Sequence, residues 1–574
     1  MNDRRYVAFH AALILATPFL ILAVHAGLFI NANTNTPIDS WVYTGFFVSL
    51  PEHLARWGGT YYSTRLSWIL PGFAAHQLLP ALLANYVLHL GFFYALLFST
   101  YFLVTSAVNR TTAMIVTLLV AWNPELLAAM SWDYVDGAVI TYFTVSLLCF
   151  EKASSGGARC WLWAAAAGVG LACLASANLV GTTLWPICGL FLLLRAGATR
   201  WRRVAAILSV AAVGAIATFA VFGFINQQLG GRFLYLKASV DYAGNRLWLP
   251  SPWDVVGMGW FRLAPHLILP TVAAVGAVVA LAGRSHVAKS FTGTVQLTFL
   301  AAVVWWVIHS TLWTHSVHVW YYISYLVPLG LLALAVHPDS PLNIAQSLHL
   351  RHAITFELAI LGLLIVHLLV FRQGDGAWGA VAPILGAGFS TPNGINAFVA
   401  VAIGGLALVV VRFGRPLWFR WPAFLLALLM AYSSVPTNWA THGTPRASED
   451  FALTVSVHRF IGQHLDHKRD LRFWYSLVRG EHRPFRNISS TYLWGWTLVN
   501  EAMPSFDAAQ AATLAPDAQL VVLADTGAEV DAARQALRKS GFDYATRTAR
   551  EFGASGRSFW VVIGRLSRSA EPSP

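Results

Sequence analysis

The sequence predicts an α-helical polytopic membrane protein of about thirteen transmembrane helices, followed by a small C-terminal α/β soluble domain. Three observations carry that expectation. The 574 residues are 57% hydrophobic and only 11% charged, too few charges to solvate a globular surface of this size. Apolar runs of about 16 to 25 residues recur from Tyr6 to Val435, close to the length that crosses about 30 Å of hydrocarbon. After Val435 the composition changes, and residues 437–574 hold 16 of the 38 basic and 14 of the 26 acidic residues. The boundary is therefore drawn at 1–436 for the transmembrane part and 437–574 for the soluble domain.

The first run, Tyr6–Ile30, follows Arg4 and Arg5 but shows no small-x-small pattern before Asn31, so it reads as a retained helix and not a cleaved signal. The next expected spans are Ala81–Ala107, Thr112–Met130, Ala138–Phe150, Trp161–Ala177, Leu179–Leu194 and Val204–Ile225. Six more follow at Leu267–Ala282, Val295–Leu312, Val319–Val336, Ile354–Phe371, Ile395–Val411 and Pro422–Val435. Beyond them, Phe451–His464 and Glu529–Ser540 read as helices, and Leu471–Leu477, Gln519–Ala524 and Ser558–Ile563 as strands.

Basic residues orient the spans. With the N-terminus inside, the inner connections carry 15 Lys and Arg and the outer loops 7, so the N-terminus is expected in the cytoplasm and the C-terminal domain outside it, in the periplasm if the membrane is a bacterial inner membrane. The net charge of +12 is accounted for by these short loops and does not call for a nucleic-acid partner. The four cysteines, Cys149, Cys160, Cys173 and Cys188, lie in or beside apolar runs without metal-ligand spacing, so neither disulfides nor a cysteine metal site is expected.

Polar residues gather in the outer loops 31–80, 131–137, 226–265 and 313–318. In the first, Asp39 either caps a short interfacial helix or accepts a proton. Downstream, Tyr61-Tyr62-Ser63-Thr64-Arg65-Leu66-Ser67-Trp68 leads into Leu70-Pro71-Gly72, placing Arg65 on an aromatic segment at the membrane surface. There it contacts lipid headgroups or holds a phosphate. In the second loop, Asp133 and Asp136 flank Tyr134 beside Trp132; Asp136 also suits an N-cap, and the pair suits sugar hydroxyls or a cation. The third loop is long enough for a lid and carries Arg232, Lys237, Arg246 and Arg262, of which Arg262 is a second candidate for an anionic headgroup. His315 and His318, with Tyr321 close behind, read either as aromatic-belt packing or as part of the same face.

This order of features resembles the GT-C superfamily of membrane glycosyltransferases, in particular the branch of protein O-mannosyltransferases and lipid A aminoarabinose transferases. An acid in the first outer loop, the YYSTRLSWILPG stretch, the SWDYVDG loop, about thirteen spans and an outer C-terminal domain match in order. The resemblance implies a GT-C-like fold and transfer of a sugar from a polyprenyl-phosphate donor to a lipid, glycan or protein acceptor on the extracytoplasmic face, with inversion. By that analogy Asp39 is the general base and Arg65, with Arg262, binds the donor phosphate, while Tyr62, Asp133, Asp136, His315, His318 and Tyr321 contact sugar or acceptor. Asp39 stands alone where protein O-mannosyltransferases carry an Asp-Glu pair, which favours a bacterial lipid or glycan acceptor. Relatives differ in metal use. With Arg65 to supply charge and no compact cluster of acids and histidines, a metal-independent reaction is expected, a divalent cation such as Mg or Mn being the alternative. The competing class is a polytopic transporter or lipid-linked-sugar flippase, which would place ionisable residues near the bilayer midplane; here most acids of the transmembrane part lie at outer positions, with Glu357 the main exception.

Overall fold

The computed structural model describes residues 3–24, 28–30, 38–197, 200–246, 268–283, 291–309, 320–337, 340, 350–370, 447–466, 470–475, 483–492, 511, 514–554 and 557–569. The first elements are α1 (Asp3–Val24), α2 (Ile38–Val48), α3 (Leu50–Trp57), a 3-10 turn at Tyr61–Thr64, and α4 (Leu66–Leu78). α5 (Ala81–Ala107) matches its expected bounds to the residue. The expected span Thr112–Met130 is instead two helices, α6 (Arg110–Ala121) and α7 (Pro124–Ser131), bent by 61°. The cause is local: Asn123 accepts from the Leu126 amide as an N-cap, and Pro124 starts the new helix.

α8 (Asp136–Ser154), α9 (Cys160–Ala177), a 3-10 turn at Leu179–Leu184 with α10 (Trp185–Ala196), and α11 (Trp201–Gln228) follow. α9 and α11 approach closely because glycines face backbone there: a Cβ at Gly168 would overlap the Ala211 carbonyl, and one at Gly214 the Ala165 carbonyl. The other side of α11 exposes Val213, Ile216, Val221 and Phe224, an apolar face suited to lipid. Next come α12 (Lys237–Arg246), α13 (Ile268–Gly283), α14 (Phe291–Ile308), α15 (Trp320–Ile323), a 3-10 turn at Ser324–Leu326, α16 (Val327–Ala335) and α17 (Leu350–Val370).

The chain is thus an integral membrane protein, mostly helical. Among the described residues six helices are long and apolar enough to span a membrane, or seven if the bent pair counts as one. That is fewer than the eleven spans expected over this region. Hydropathy does not register breaks such as the turn at Ser324–Leu326, nor that α8 carries Asp136, Glu151 and Lys152. The expected spans Ile395–Val411 and Pro422–Val435 lie outside the described residues.

Four helices are fastened at one end by a closed polar cluster. Tyr6 and His10 of α1 reach Glu357 of α17 at 2.7 and 3.0 Å, Tyr6 also meets Thr111 of α6, and His10 Nδ1 lies 2.9 Å from the Tyr101 hydroxyl of α5. Each of these polar groups has a partner within the cluster, as burial demands.

The C-terminal segment builds α18 (Ala447–His464), β1 (Leu471–Tyr475), α19 (Arg483–Ser490), β2 (Gln519–Ala524), α20 (Gly527–Lys539), β3 (Phe542–Ala554) and β4 (Arg557–Arg568). These form a four-stranded mixed sheet in the order β1-β2-β4-β3, with β1 and β2 parallel and the other pairs antiparallel. β2 is buried throughout its length. β3 was not expected as a strand, because FDYATRTAREFGA is polar; it is an edge strand with a bulge between Thr546 and Thr548, where charges are tolerated and discourage further pairing.

α18 and α19 dock this sheet onto α2 and α3. Gly45 of α2 lies where a Cβ would overlap the Thr491 carbonyl oxygen, and His53 Nε2 donates to that same oxygen at 2.7 Å. His458 sits behind them, stacked on Tyr492 at 4.4 Å. The Thr491 hydroxyl donates to the Ile488 carbonyl and so accepts from His458 Nδ1–H, leaving Nε2 as acceptor for the Ser49 hydroxyl. Burial, then the neighbouring His53 and Arg459, hold this imidazole neutral well below the ordinary histidine range. The unfolded chain would bind the proton first, so stability is full above about pH 6.5 and falls on acidification by up to about 1.4 kcal/mol per pH unit. Hydrogen exchange of residues 447–464 between pH 7 and pH 5 should show this contact opening in wild type, with a flatter profile in His458→Asn; parallel profiles would contradict it.

Candidate active site

Asp39 occupies the first turn of α2, where a carboxylate is favoured by the helix dipole. It remains partly exposed. The Tyr62 hydroxyl, presented by the 3-10 turn, donates to Asp39 Oδ1 at 2.7 Å. Burial and the adjacent Asp39 carboxylate push that hydroxyl well above the ordinary tyrosine range, so Tyr62 stays a donor and one Asp39 oxygen is fixed in place.

Arg65 is the link between the 3-10 turn and α4, and its backbone leaves helical geometry there (φ −85°, ψ 51°). That break turns its side chain inward, where it is 7% exposed. The guanidinium lies over three tyrosine rings: Tyr134 at 5.1 Å, Tyr61 at 5.2 Å and Tyr43 at 5.4 Å. Such a desolvated cation–π contact contributes about 2 kcal/mol. Nη1 is buried without a hydrogen-bond partner among the described residues, a charged donor available to an incoming oxygen.

The SWDYVDG loop brings the two further acids to different tasks. Asp136 is fully buried, with Oδ1 accepting from the Tyr325 hydroxyl at 2.6 Å and Oδ2 unpartnered among the described residues. Asp133, also fully buried, faces away into the packing: Thr44 donates to Oδ2 at 2.5 Å, and His89 Nε2 lies 2.8 Å from Oδ1. His89 Nδ1 meets the Met130 carbonyl oxygen at 2.7 Å, so Asp133 and His89 tie together α2, α5 and the loop. Asp133→Asn should therefore cost about 1–3 kcal/mol of stability, since the amide has one acceptor oxygen where the carboxylate uses both, leaving a buried partner unsatisfied. Thermal inactivation of the detergent-solubilised protein would measure it, an unchanged midpoint counting against the pair.

The described part of the third loop reaches the same place. Tyr242 of α12 stacks on Tyr61 at 4.5 Å and 24°, and Ser239 meets Thr64 at 2.5 Å, so α12 packs against the 3-10 turn. Arg262, His315 and His318 lie outside the described residues; Tyr321 belongs to α15, and its side chain also lies outside them. Among the described residues no three His, Cys, Asp or Glu side chains gather to hold a metal ion.

Two tyrosines of the site were not singled out from sequence. Tyr43 had a readable signal, being four residues after Asp39 and thus on the same helix face. Tyr325 had none, because only the turn between α15 and α16 aims it at Asp136.

No family model matches the chain, and no curated protein does. Solved structures do. The chain is similar to ArnT from Cupriavidus metallidurans bound to undecaprenyl phosphate, at 13% identity over 98% of each chain with a TM-score of 0.48. It is similar to the same protein in the apo state at 14% identity, over 97% of this chain and 98% of that one, with a TM-score of 0.46. It is also similar to the oligosaccharyltransferase AglB from Archaeoglobus fulgidus in complex with an inhibitory peptide and a dolichol-phosphate, at 12% identity over 99% of this chain and 75% of that one, with a TM-score of 0.43. Each match runs over nearly the full length of this chain at low sequence identity.

Proposed function

We propose that the protein is a membrane glycosyltransferase that moves a sugar from a polyprenyl-phosphate donor to a lipid or glycan acceptor on the extracytoplasmic face, with inversion. The observation that supports this reading best is the pairing of a partly exposed carboxylate, Asp39, with a buried guanidinium whose Nη1 is open, Arg65, inside one ring of tyrosines. In the proposed reaction Asp39 takes the proton of the acceptor hydroxyl as its oxygen attacks the anomeric carbon, and the donor's phosphate leaves as an anion. Arg65 stabilises the charge that develops on that phosphate, in a site where low dielectric strengthens the interaction. Tyr62 orients Asp39, and Asp136 with Tyr325 lies beside them, suited to sugar hydroxyls. No metal is required by these roles.

A transporter reading finds its best support in the His10–Glu357 cluster, but those groups are closed on one another and leave Asp39 and Arg65 without a task. The deciding experiment is release of polyprenyl phosphate by the purified protein in lipid nanodiscs, offered a panel of polyprenyl-phosphate sugars and a crude glycolipid acceptor. Turnover supports the transferase. Donor translocation in proteoliposomes without any release would replace it with the flippase.

A further inference from the structure

The end of the helix bundle away from Asp136 carries a basic surface that none of the roles above uses. α8 starts at Asp136 and runs for 19 residues, about 28 Å at 1.5 Å per residue, so the turn after Ser154 lies far from the candidate active site. α9 and α11 both begin at that end. Arg203 of α11 meets Gly156 of the turn, and further along Gly168 faces Ala211 and Gly214 faces Ala165, so the two helices run side by side in the same direction.

The charges at this end do not balance within the protein. Between Asp136 and Asp241 the chain has one acid, Glu151, and Arg195 takes both of its oxygens, at 2.7 and 3.1 Å. Lys152 donates to the Ser106 hydroxyl. Arg159, Arg200 and Arg202 are exposed, and neither they nor Arg203 has an acid partner among the described residues. Arg203 joins the two connections into one surface: Nη2 donates to the Ala153 carbonyl oxygen at 3.4 Å and would stand 2.7 Å from a Cβ at Gly156, whose φ of 86° is one that glycine adopts without strain. Guanidinium forks of this kind suit phosphate oxygens.

The surroundings narrow the source of that phosphate. Trp161 and Trp163 in the first turn of α9 and Trp201 at the start of α11 are exposed, the position of tryptophans at a membrane–water boundary. From Trp201 an exposed stripe continues along α11 through Ala205, Leu208, Ala212 and Ile216 at helical spacing. A soluble anion or an acidic protein would meet the arginines and leave the stripe bare. A lipid uses both, its headgroup at the guanidinium groups and its chains along the stripe.

We propose that this end of the α9–α11 pair binds an anionic phospholipid of the adjacent leaflet, its phosphate held by Arg159, Arg200 and Arg203 and its chains lying along α11. The binding does not depend on the transferase reading. Native mass spectrometry of the full-length protein in detergent, titrated with dioleoyl phosphatidylglycerol or dioleoyl phosphatidylcholine, should show the first bound at least about ten-fold more tightly. The two probes share their chains, so the difference reads the headgroup charge. Arg159→Gln and Arg200→Gln should each weaken phosphatidylglycerol by about five-fold, and the two combined with Arg202→Gln should abolish the preference. Arg538→Gln, which removes an exposed charge from α20, should bind as the wild type does. Phosphatidylglycerol should also raise the thermal midpoint of the wild type and not that of the triple variant, whose midpoint in phosphatidylcholine should match the wild type's because all three arginines are exposed. Equal affinity for the two lipids, a preference that survives the triple substitution, or an equal loss in Arg538→Gln would overturn the proposal.

Discussion

Asp39→Asn is expected to lower polyprenyl phosphate release by about 10²- to 10⁴-fold while donor binding is retained. The amide keeps the size of the carboxylate and can still accept from Tyr62, whose hydroxyl lies 2.7 Å from Oδ1. What it loses is the ability to take a proton. A folding defect is not expected, because Asp39 is partly exposed and stands in the first turn of α2, where Asn is also well tolerated. Single-turnover release with a radiolabelled donor, compared with donor binding by filter assay, would separate the chemical step from affinity. Equal turnover in both proteins would remove Asp39 from the mechanism. Tyr62→Phe provides a graded companion, since it frees the carboxylate to rotate without removing it, and a smaller loss is expected.

Arg65→Lys is expected to reduce turnover by about 10²- to 10³-fold, the range seen when one preorganised donor to a developing oxyanion is removed. Lysine keeps the charge but not the planar fork, and it cannot lie across the faces of Tyr43, Tyr61 and Tyr134 as the guanidinium does. Both kcat and the affinity for free polyprenyl phosphate should fall, since the proposed product carries the charge that Nη1 would meet. Arg65→Ala would confuse the result, because three buried tyrosine rings would then face a cavity. If Arg65→Lys bound polyprenyl phosphate as the wild type does and turned over at the same rate, the phosphate would have to be held elsewhere.

Which parts of this were legible in the chain follows from the range of the forces involved. α5 is continuous and apolar over 27 residues, and its bounds were readable because hydrocarbon solvates nothing else over that length. The helix α20 was equally plain: Thr526 caps it, and Val530, Ala533 and Leu537 lie on one buried face at helical spacing. The break at Asn123-Pro124 had a local signal, yet hydropathy averaged over it. The strand β3 had no such signal, since its pairing with β4 comes from residues that lie beyond the next turn and its own sequence is that of a solvated edge.

The candidate site divides in the same way. By itself the sequence determined a polytopic membrane protein, the placement of Asp39 and Arg65 together in the first polar loop, and two acids in the second, because these follow from composition and from neighbours close along the chain. Only the tertiary structure decided that Asp136 pairs with Tyr325 while Asp133 pairs with Thr44 and His89. The two aspartates are three residues apart in one loop and differ only in what the rest of the protein brings to them: Tyr325 from 189 positions away for one, Thr44 and His89 for the other. A carboxylate's task depends on its partners and its access to water, and those are set by packing between segments that no local pattern connects.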